Sequence, residues 1–298
     1  MHDHRVGGGD IKAGFHNGCG KQHIIFSVVE LVHAVVQLSR LSVVDKAGRA
    51  AIRRWLENHG QFFDEAEFLF IVRNFDKALP MYSEVLAGFP KQDPSVEHAE
   101  QALSRKVYYF TRVKRDLPGL IQSLKKDLEN KELPEFLKNR IQALVKSAEK
   151  IKSQPYPEFN DKQSAELRKF AQTNLKKELA GDFEMNTDRE LAYLRVSSVL
   201  YKYLEQYPNT PLKPEILYWL SFCERRYEEK ALYSMPELYL KQCVLEHPES
   251  KIAPACLTEY QDLIQMAFTG SSGTHIPKEV QREIESMKEL IKKMTAKK

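Results

Sequence analysis

Metal-capable side chains are concentrated in the first 23 residues of the chain. The stretch is rich in glycine and shows no apolar periodicity, which predicts a disordered or loosely attached arm. Histidine and cysteine bind zinc when their spacing lets four ligands form a tetrahedron, and the spacings here match no such motif. We therefore predict no metal site. The metal-capable residues are His2, His4, His16, Cys19 and His23.

The cysteines do not form a recognisable redox or zinc motif. None of the four belongs to a CxxC pair, so neither a zinc ribbon nor a thioredoxin-type site is indicated. Cys243 and Cys256 lie on either side of a turn at Pro248. One interpretation is that they form a disulfide, if the protein is in an oxidising compartment. We favour the other interpretation, in which both are buried free thiols within packed helices.

One loop has a composition that suits anion binding. The segment 269–277, TGSSGTHIP, could place backbone N–H groups around an anion, but it lacks the GxxxxGK[ST] pattern of a phosphate loop. We interpret it as a linker to the last helix. The chain has no GxSxG nucleophile elbow, and its scattered glutamates are typical of helix surfaces. We therefore predict no catalytic residues, no cofactor and no enzymatic activity.

The composition indicates a folded helical protein. The 298 residues are 42% hydrophobic and 29% charged, as expected of a soluble globular chain. Glycine is scarce, strand-like alternation is rare, and long runs carry apolar residues at spacings of three and four. This periodicity predicts an all-α fold.

The positive charge of the chain is unevenly placed. The net charge is +4, but the range 105–179 holds 18 Lys or Arg against 10 Asp or Glu. A basic helical region can bind an anion or nucleic acid, which gives an alternative function. A lysine-rich face that is only solvated explains the same count, and we favour that interpretation.

Breaks in the apolar pattern divide the chain into five parts. The clearest break is Gln154-Pro155-Tyr156-Pro157, because prolines disfavour helix on both sides. Within the third part we expect one long helix from about Val96 to Leu117. The parts are an arm at 1–23, apolar and basic helices at 24–60, a helical-hairpin segment at 61–153, a proline-rich linker at 154–161 and a C-terminal segment at 162–298 whose last helix, 277–296, caps it.

The apolar run at 24–44 has two interpretations. Glu30, His33 and Arg40 interrupt it, so it does not read as a membrane span. A packed helix is the interpretation we favour. An export signal is the alternative, although the run contains a carboxylate and lacks a clean cleavage site. Membrane association would depend on this segment alone.

An internal repeat is present in the C-terminal third. The segment YPNTPLKPEILYWL begins at Tyr207, and HPESKIAPACLTEY begins at His247, 40 residues later. Prolines, small hydroxyl residues and apolar residues coincide between the two. A helix precedes each segment and ends just before its first proline. Repeated helical hairpins cannot bury their apolar faces alone and stack on their neighbours.

These hairpins resemble the tetratricopeptide repeat family. In FDKALPMYSEVLAGFP, Phe75, Ala78, Tyr82 and Pro90 occupy the aromatic, small, aromatic and proline positions of that repeat's second helix. The range 194–260 is similar to the repeats of periplasmic proteins such as the Tol-Pal coordinator and the outer-membrane assembly lipoproteins. The resemblance implies an α-solenoid of stacked antiparallel helical hairpins. The motif is eroded at 96–180, so the array would be irregular in the middle.

The resemblance also implies a function. Such proteins are non-enzymatic scaffolds that bind a segment of a partner protein on the repeat surface, here in cell-envelope assembly and in the periplasm. A cytoplasmic location is the alternative, and nucleic acid is not the expected partner. The inner-face residues that would contact the partner are Phe68, Arg73, Tyr218, Phe222 and Arg225.

Overall fold

The protein is all-α, as its periodicity predicts. The computed structural model describes residues 62–91, 93–180, 187–225, 234–271 and 273–296. The predictions for 1–23, for 24–44 and for the basic helix before residue 61 lie outside these residues. Within the described ranges, the only strands are a two-residue antiparallel pair, Thr269–Gly270 with Gly273–Thr274, in the loop that we predicted to be a linker.

The described residues form twelve α-helices and one π-helical turn. The first seven helices are α1 (Phe62–Ile71), α2 (Phe75–Gly88), α3 (Val96–Tyr108), α4 (Leu117–Asp127), α5 (Glu135–Ile151), α6 (Ser164–Asn174) and α7 (Lys176–Leu179), with the π-helical turn (Tyr109–Val113) after α3. The others are α8 (Thr187–Gln206), α9 (Lys213–Arg225), α10 (Met235–Glu246), α11 (Ala253–Ala267) and α12 (Lys278–Thr295).

Small residues let α1 and α2 approach each other closely. Ala66 and Ala78 are fully buried, and the ring of Tyr82 lies between the helices. The Tyr82 hydroxyl donates to the carboxylate of Glu67 at 2.6 Å and also lies 3.1 Å from the backbone oxygen of Ala66. Burial beside that carboxylate raises the pKa of Tyr82 far above its ordinary value, so the hydroxyl stays a donor.

The predicted long helix from about Val96 to Leu117 forms, but it ends early, at Val113, and its last turn is π-helical. Helix α3 ends at Tyr108, and the π-helical turn follows it. Arg115 then adopts a left-handed backbone with φ of 58°, and Asp116 caps α4 by accepting from the N–H of Gly119 at 2.8 Å. A Cβ at Gly119 would lie 2.4 Å from an Asp116 oxygen, so a larger residue at this position would displace the capping carboxylate. Periodicity could not show the break, because apolar residues continue through it.

The two copies of the internal repeat share the same turn. In each copy, the turn contains two successive hydrogen bonds from an N–H to the carbonyl three residues earlier. A side-chain hydroxyl in the turn accepts a further bond from the N–H two residues after it. A helix with proline in its first turn follows. The equivalent bonds are Thr210 N–H to Tyr207 O (3.1 Å) and Ser250 N–H to His247 O (3.0 Å), Lys213 to Thr210 (3.0 Å) and Ala253 to Ser250 (3.1 Å), and Leu212 N–H to Thr210 Oγ1 and Ile252 N–H to Ser250 Oγ (both 3.3 Å).

Helix α8 connects two hydrophobic clusters. Its first half places Leu191 and Leu194 in a cluster with α1 to α5, and its second half joins a cluster with α6 and α9 to α12. It packs on α5 and the π-helical turn as well as on α6 and α9.

The structure pairs Cys243 with Cys256, so our preference for free thiols at these positions is wrong. The disulfide connects α10 to α11 within the second repeat, and both residues are fully buried. Cys223 on α9 is a buried free thiol, and burial raises its pKa well above the ordinary value. The sequence could not distinguish the two interpretations, because both are compatible with buried cysteines.

The last helix covers the end of the C-terminal cluster. Ile284 and Met287 of α12 are buried against this cluster, and α12 packs on α10 and α11. Lys241 of α10 joins the helices by pairing with Glu283 at 2.9 Å. Of the helices in the described ranges, none is both long and apolar enough to cross a membrane.

Candidate functional site

An open groove lies between α2, the end of α3 and α4. Its volume is about 310 Å³, which is at the lower end of the range for ligand sites. Most of its lining surface is apolar, although half of the lining residues are polar. The lining residues are Phe75, Asp76, Leu79, Pro80, Ser83, Lys106, Phe110 and Ser123.

Helix α2 supplies one wall of the groove, because its groove-lining residues are spaced four positions apart. Phe75, Leu79 and Ser83 recur every four residues and therefore share a face. Pro80 lies inside the helix and has no N–H, so it donates no helical hydrogen bond to the carbonyl of Asp76. Asp76 therefore offers the groove two acceptors, its backbone carbonyl and its carboxylate. Asp76 and Pro80 are both exposed.

A buried ion pair forms the floor of the groove. Lys106 Nζ donates to both carboxylate oxygens of Asp127, at 2.6 and 2.7 Å, and both side chains are almost fully buried. Burial lowers the pKa of Lys106 and raises that of Asp127, while each charge opposes the shift of the other. The pair ties α3 to α4 and leaves the floor without net charge.

Three of the sequence-predicted contact residues lie together on α9. The rings of Tyr218 and Phe222 meet edge to face at 4.9 Å, and the Arg225 guanidinium lies 5.0 Å from the Phe222 centroid. Arg225 also pairs with Glu259 of α11. Phe222 is only 2% exposed. A partner on this face would therefore meet Tyr218 and Arg225.

The other two predicted residues lie at the first hairpin. Phe68 is a partly buried residue of α1. Arg73 is exposed in the turn between α1 and α2, where its φ of 62° is in the left-handed region. Neither lines the groove, whose walls include Phe75 and Leu79 from the same hairpin. The sequence feature that could have indicated the groove is Phe75, which occupies the aromatic position of the repeat and lines the groove.

Sequence reasoning missed a buried polar cluster around the π-helical turn. Arg112 pairs with Glu224 of α9 at 2.6 Å, and its guanidinium lies 4.2 Å from the ring centroid of Tyr201. The hydroxyl of Tyr201 donates to Glu224 at 3.3 Å and also contacts the hydroxyl of Tyr239. The Glu224 carboxylate holds the pKa of Arg112 well above its ordinary value, against the effect of burial.

The basic surplus of 105–179 is partly compensated by acids elsewhere in the chain. Five of its cations pair with carboxylates that lie outside this range. The pairs are Arg105 with Glu67, Arg112 with Glu224, Arg140 with Glu190, Lys150 with Asp188 and Arg168 with Glu215. Two acids of the range pair in turn with cations outside it, Glu158 with Lys202 and Glu178 with Arg189, so these ion pairs offset only part of the surplus.

No protein-family model, no curated protein and no solved structure matches this chain. The likeness to tetratricopeptide repeats therefore stays a prediction from the quoted residues. Among the described residues, no three His, Cys, Asp or Glu side chains are grouped in a way that could hold a metal ion.

Proposed function

We propose that this protein is a non-enzymatic scaffold that binds a segment of a partner protein in the groove between α2, α3 and α4. The observation that carries the proposal is the groove itself: an open, mostly apolar depression lined by α2, α3, the π-helical turn and α4. Helix-lined apolar grooves recognise amphipathic segments by taking up their apolar side chains.

The groove specifies the chemistry of the partner segment. Apolar side chains of the partner would pack on Phe75, Leu79 and Phe110. The Asp76 carbonyl would accept a hydrogen bond from a partner N–H, because Pro80 donates none. A basic partner residue would pair with the Asp76 carboxylate. With about 310 Å³ of space, the groove would take a few side chains, and the remaining contacts would lie outside it.

The stacked-hairpin interpretation extends this proposal to the rest of the chain. The shared turns at Tyr207 and His247 support a repeated hairpin, and the face of Tyr218 and Arg225 would provide a second contact surface on it. The buried Cys243–Cys256 disulfide supports an oxidising compartment, which favours the periplasm over the cytoplasm as the proposed location. Cell-envelope assembly is the corresponding process.

Site-specific photocrosslinking in the native cell tests the proposal. A photoreactive amino acid at Leu79 should crosslink one protein reproducibly, and the same amino acid at Glu84, which is exposed on the same helix, should not. Adding Ser123→Trp, which fills the groove, should abolish the Leu79 product. Equal crosslinking from both positions, or a product that survives Ser123→Trp, would count against a groove-bound partner.

A further inference from the structure

Two arginines lie against the ring of Tyr156, in the linker between α5 and α6, and a lysine reaches the same linker. The guanidinium carbons of Arg115 and Arg195 lie 5.4 and 5.0 Å from the centroid of its ring. The hydroxyl of Tyr156 donates to the backbone oxygen of Thr111 at 2.6 Å, which fixes the ring against the π-helical turn. Lys202 of α8 reaches the same linker through an ion pair with Glu158.

Arg195 has no carboxylate partner among the described residues. Its Nη1 and Nη2 atoms donate to the side-chain oxygen of Gln154 at 3.0 Å and to the carbonyl of Pro155 at 3.1 Å. Its Nε–H is buried and has no hydrogen-bond partner in the described chain. A guanidinium without a counter-ion is suited to a planar or tetrahedral oxyanion. Burial lowers its pKa, as expected for an uncompensated cation.

Arg115 is held in position by its backbone and by α8. It adopts the left-handed region with φ of 58°, immediately after the π-helical turn. Its Nε and Nη2 donate to Ser198 Oγ at 2.9 Å and to Ser198 O at 2.8 Å. Its Nη1 lies 3.9 Å from Glu158, too far for a hydrogen bond. Strained backbone and π-turns are both frequent at functional sites.

One exposed carboxylate is the only acid paired with these three cations in the described structure. Glu158 is 66% exposed and is in contact with Lys202, which lowers the pKa of the carboxyl. Because this carboxylate is at the surface, an incoming anion can displace it with little desolvation cost.

We infer that Arg115, Arg195 and Lys202 form a binding site for a phosphate-class oxyanion beside Tyr156, with Glu158 as its internal competitor. The site shares no residue with the groove and does not depend on the proposed scaffold function. It also differs from a general basic surface, because hydrogen bonds to the backbone and to Ser198 hold the guanidinium groups of Arg115 and Arg195 in position. Free phosphate and a small phosphomonoester offer the same chemistry.

Titration calorimetry of the full chain with inorganic phosphate at low ionic strength tests the site. We expect saturable binding, and Arg195→Gln should weaken it by about tenfold or more, since charge-assisted hydrogen bonds are lost. Glu158→Gln should strengthen it by removing the competitor. Arg282→Gln, the same change at an exposed position of α12, should have no effect. Lys202→Gln provides a second test at a surface ion pair, with circular dichroism to confirm folding.

The outcomes separate cleanly. Absence of saturable binding to the wild-type protein, or equal affinities of Arg195→Gln and Arg282→Gln, would overturn the site. An unchanged affinity in Glu158→Gln would overturn the displacement of that carboxylate. A parallel titration with glycerol phosphate identifies the source of the anion: tighter binding than inorganic phosphate supports a phosphomonoester, and equal binding supports free phosphate.

Discussion

Arg112 and Glu224 form a buried ion pair that connects the π-helical turn to helix α9. Their closest atoms are 2.6 Å apart, and the side chains are 10% and 7% exposed. The guanidinium also lies over the rings of Tyr108 and Tyr201. Since the π-helical turn packs with the first cluster and α9 with the second, this pair stabilises the contact between them.

Breaking this pair should destabilise the protein strongly. Glu224→Gln leaves the Arg112 charge buried without a counter-ion, and we expect a loss of about 3–5 kcal/mol in the free energy of unfolding. Replacing both residues by methionine should cost less than the single change, because no charge then remains buried. Urea unfolding followed by tryptophan fluorescence measures both.

The exposed pair of Lys125 and Glu149 provides the control. Its atoms are 2.8 Å apart, but both side chains are largely exposed. Lys125→Gln should therefore cost less than about 1 kcal/mol. If Glu224→Gln cost no more than Lys125→Gln, the buried pair would not have the role assigned to it.

Asn130 caps the end of α2 from the loop between α4 and α5. Its side-chain amide donates to the carbonyls of Leu86 at 2.8 Å and Phe89 at 2.9 Å. Asn130→Ala should lower the free energy of unfolding by about 1–3 kcal/mol, because these partly buried acceptors lose their donor. Asn160→Ala is the matched control, since Asn160 makes the same local bond to the N–H two residues later but is exposed. Equal costs in denaturant unfolding would contradict the capping role.

The cap at Asp116 predicts a pH dependence. The N–H of Gly119 and then the ammonium of Lys114 hold the pKa of Asp116 below its ordinary value. A carboxyl with a lowered folded-state pKa contributes stability above the unfolded-state pKa of about 3.9, and loses it as the pH falls through the folded-state value. Asp116→Asn keeps the cap but removes the charge. The wild-type protein should therefore be more stable than this variant at pH 7, by about 0.5–1 kcal/mol.

Urea midpoints at neutral and acidic pH check this sign. The advantage of the wild-type protein over Asp116→Asn should disappear well below pH 4, where the carboxyl is protonated. Asp161→Asn, at an exposed position, is the control for a general loss of negative charge. An advantage that persists unchanged into acid would show that the charge of Asp116 is not its source.

The disulfide between Cys243 and Cys256 should be detectable chemically. We expect a disulfide-linked peptide in mass spectrometry of the unreduced protein. The variant with serine at both positions should lose about 3 kcal/mol in the free energy of unfolding, because the bond closes a loop with a sequence separation of 13. Reducing agent should destabilise the wild-type protein but not this variant. Alkylation of both cysteines in denatured, unreduced protein would contradict the pairing.

Local patterns predicted the elements that depend on nearby residues. Helix α2 follows from the spacing of Ala78, Tyr82 and Leu86, and the turns at Tyr207 and His247 follow from their shared proline and hydroxyl positions. Both signals are local, because a helix face and a turn are set by residues a few positions apart. The all-α class was predictable for the same reason.

Features that depend on distant contacts could not be predicted. The π-helical turn is stabilised by α8, through Ser198, and by Glu224 of α9, and neither contact has a signal in the local sequence. The groove likewise needs Lys106 and Ser123 to meet α2 in three dimensions. The repeat likeness pointed to Phe75 but assigned it to packing, and the predicted contact residues lie on α1, in the turn after it, or on α9.

The affinity of the groove for a partner segment is the most direct test of the scaffold function. Peptides that bind the full chain can be selected from a random library and titrated against two variants of α4. Ser123→Trp fills the groove, whereas Gln122→Trp places the same ring on the exposed side of the same helix. We predict that Ser123→Trp weakens the selected peptides by tenfold or more and that Gln122→Trp leaves their affinity unchanged. Equal affinities for both variants would contradict a groove that binds the partner.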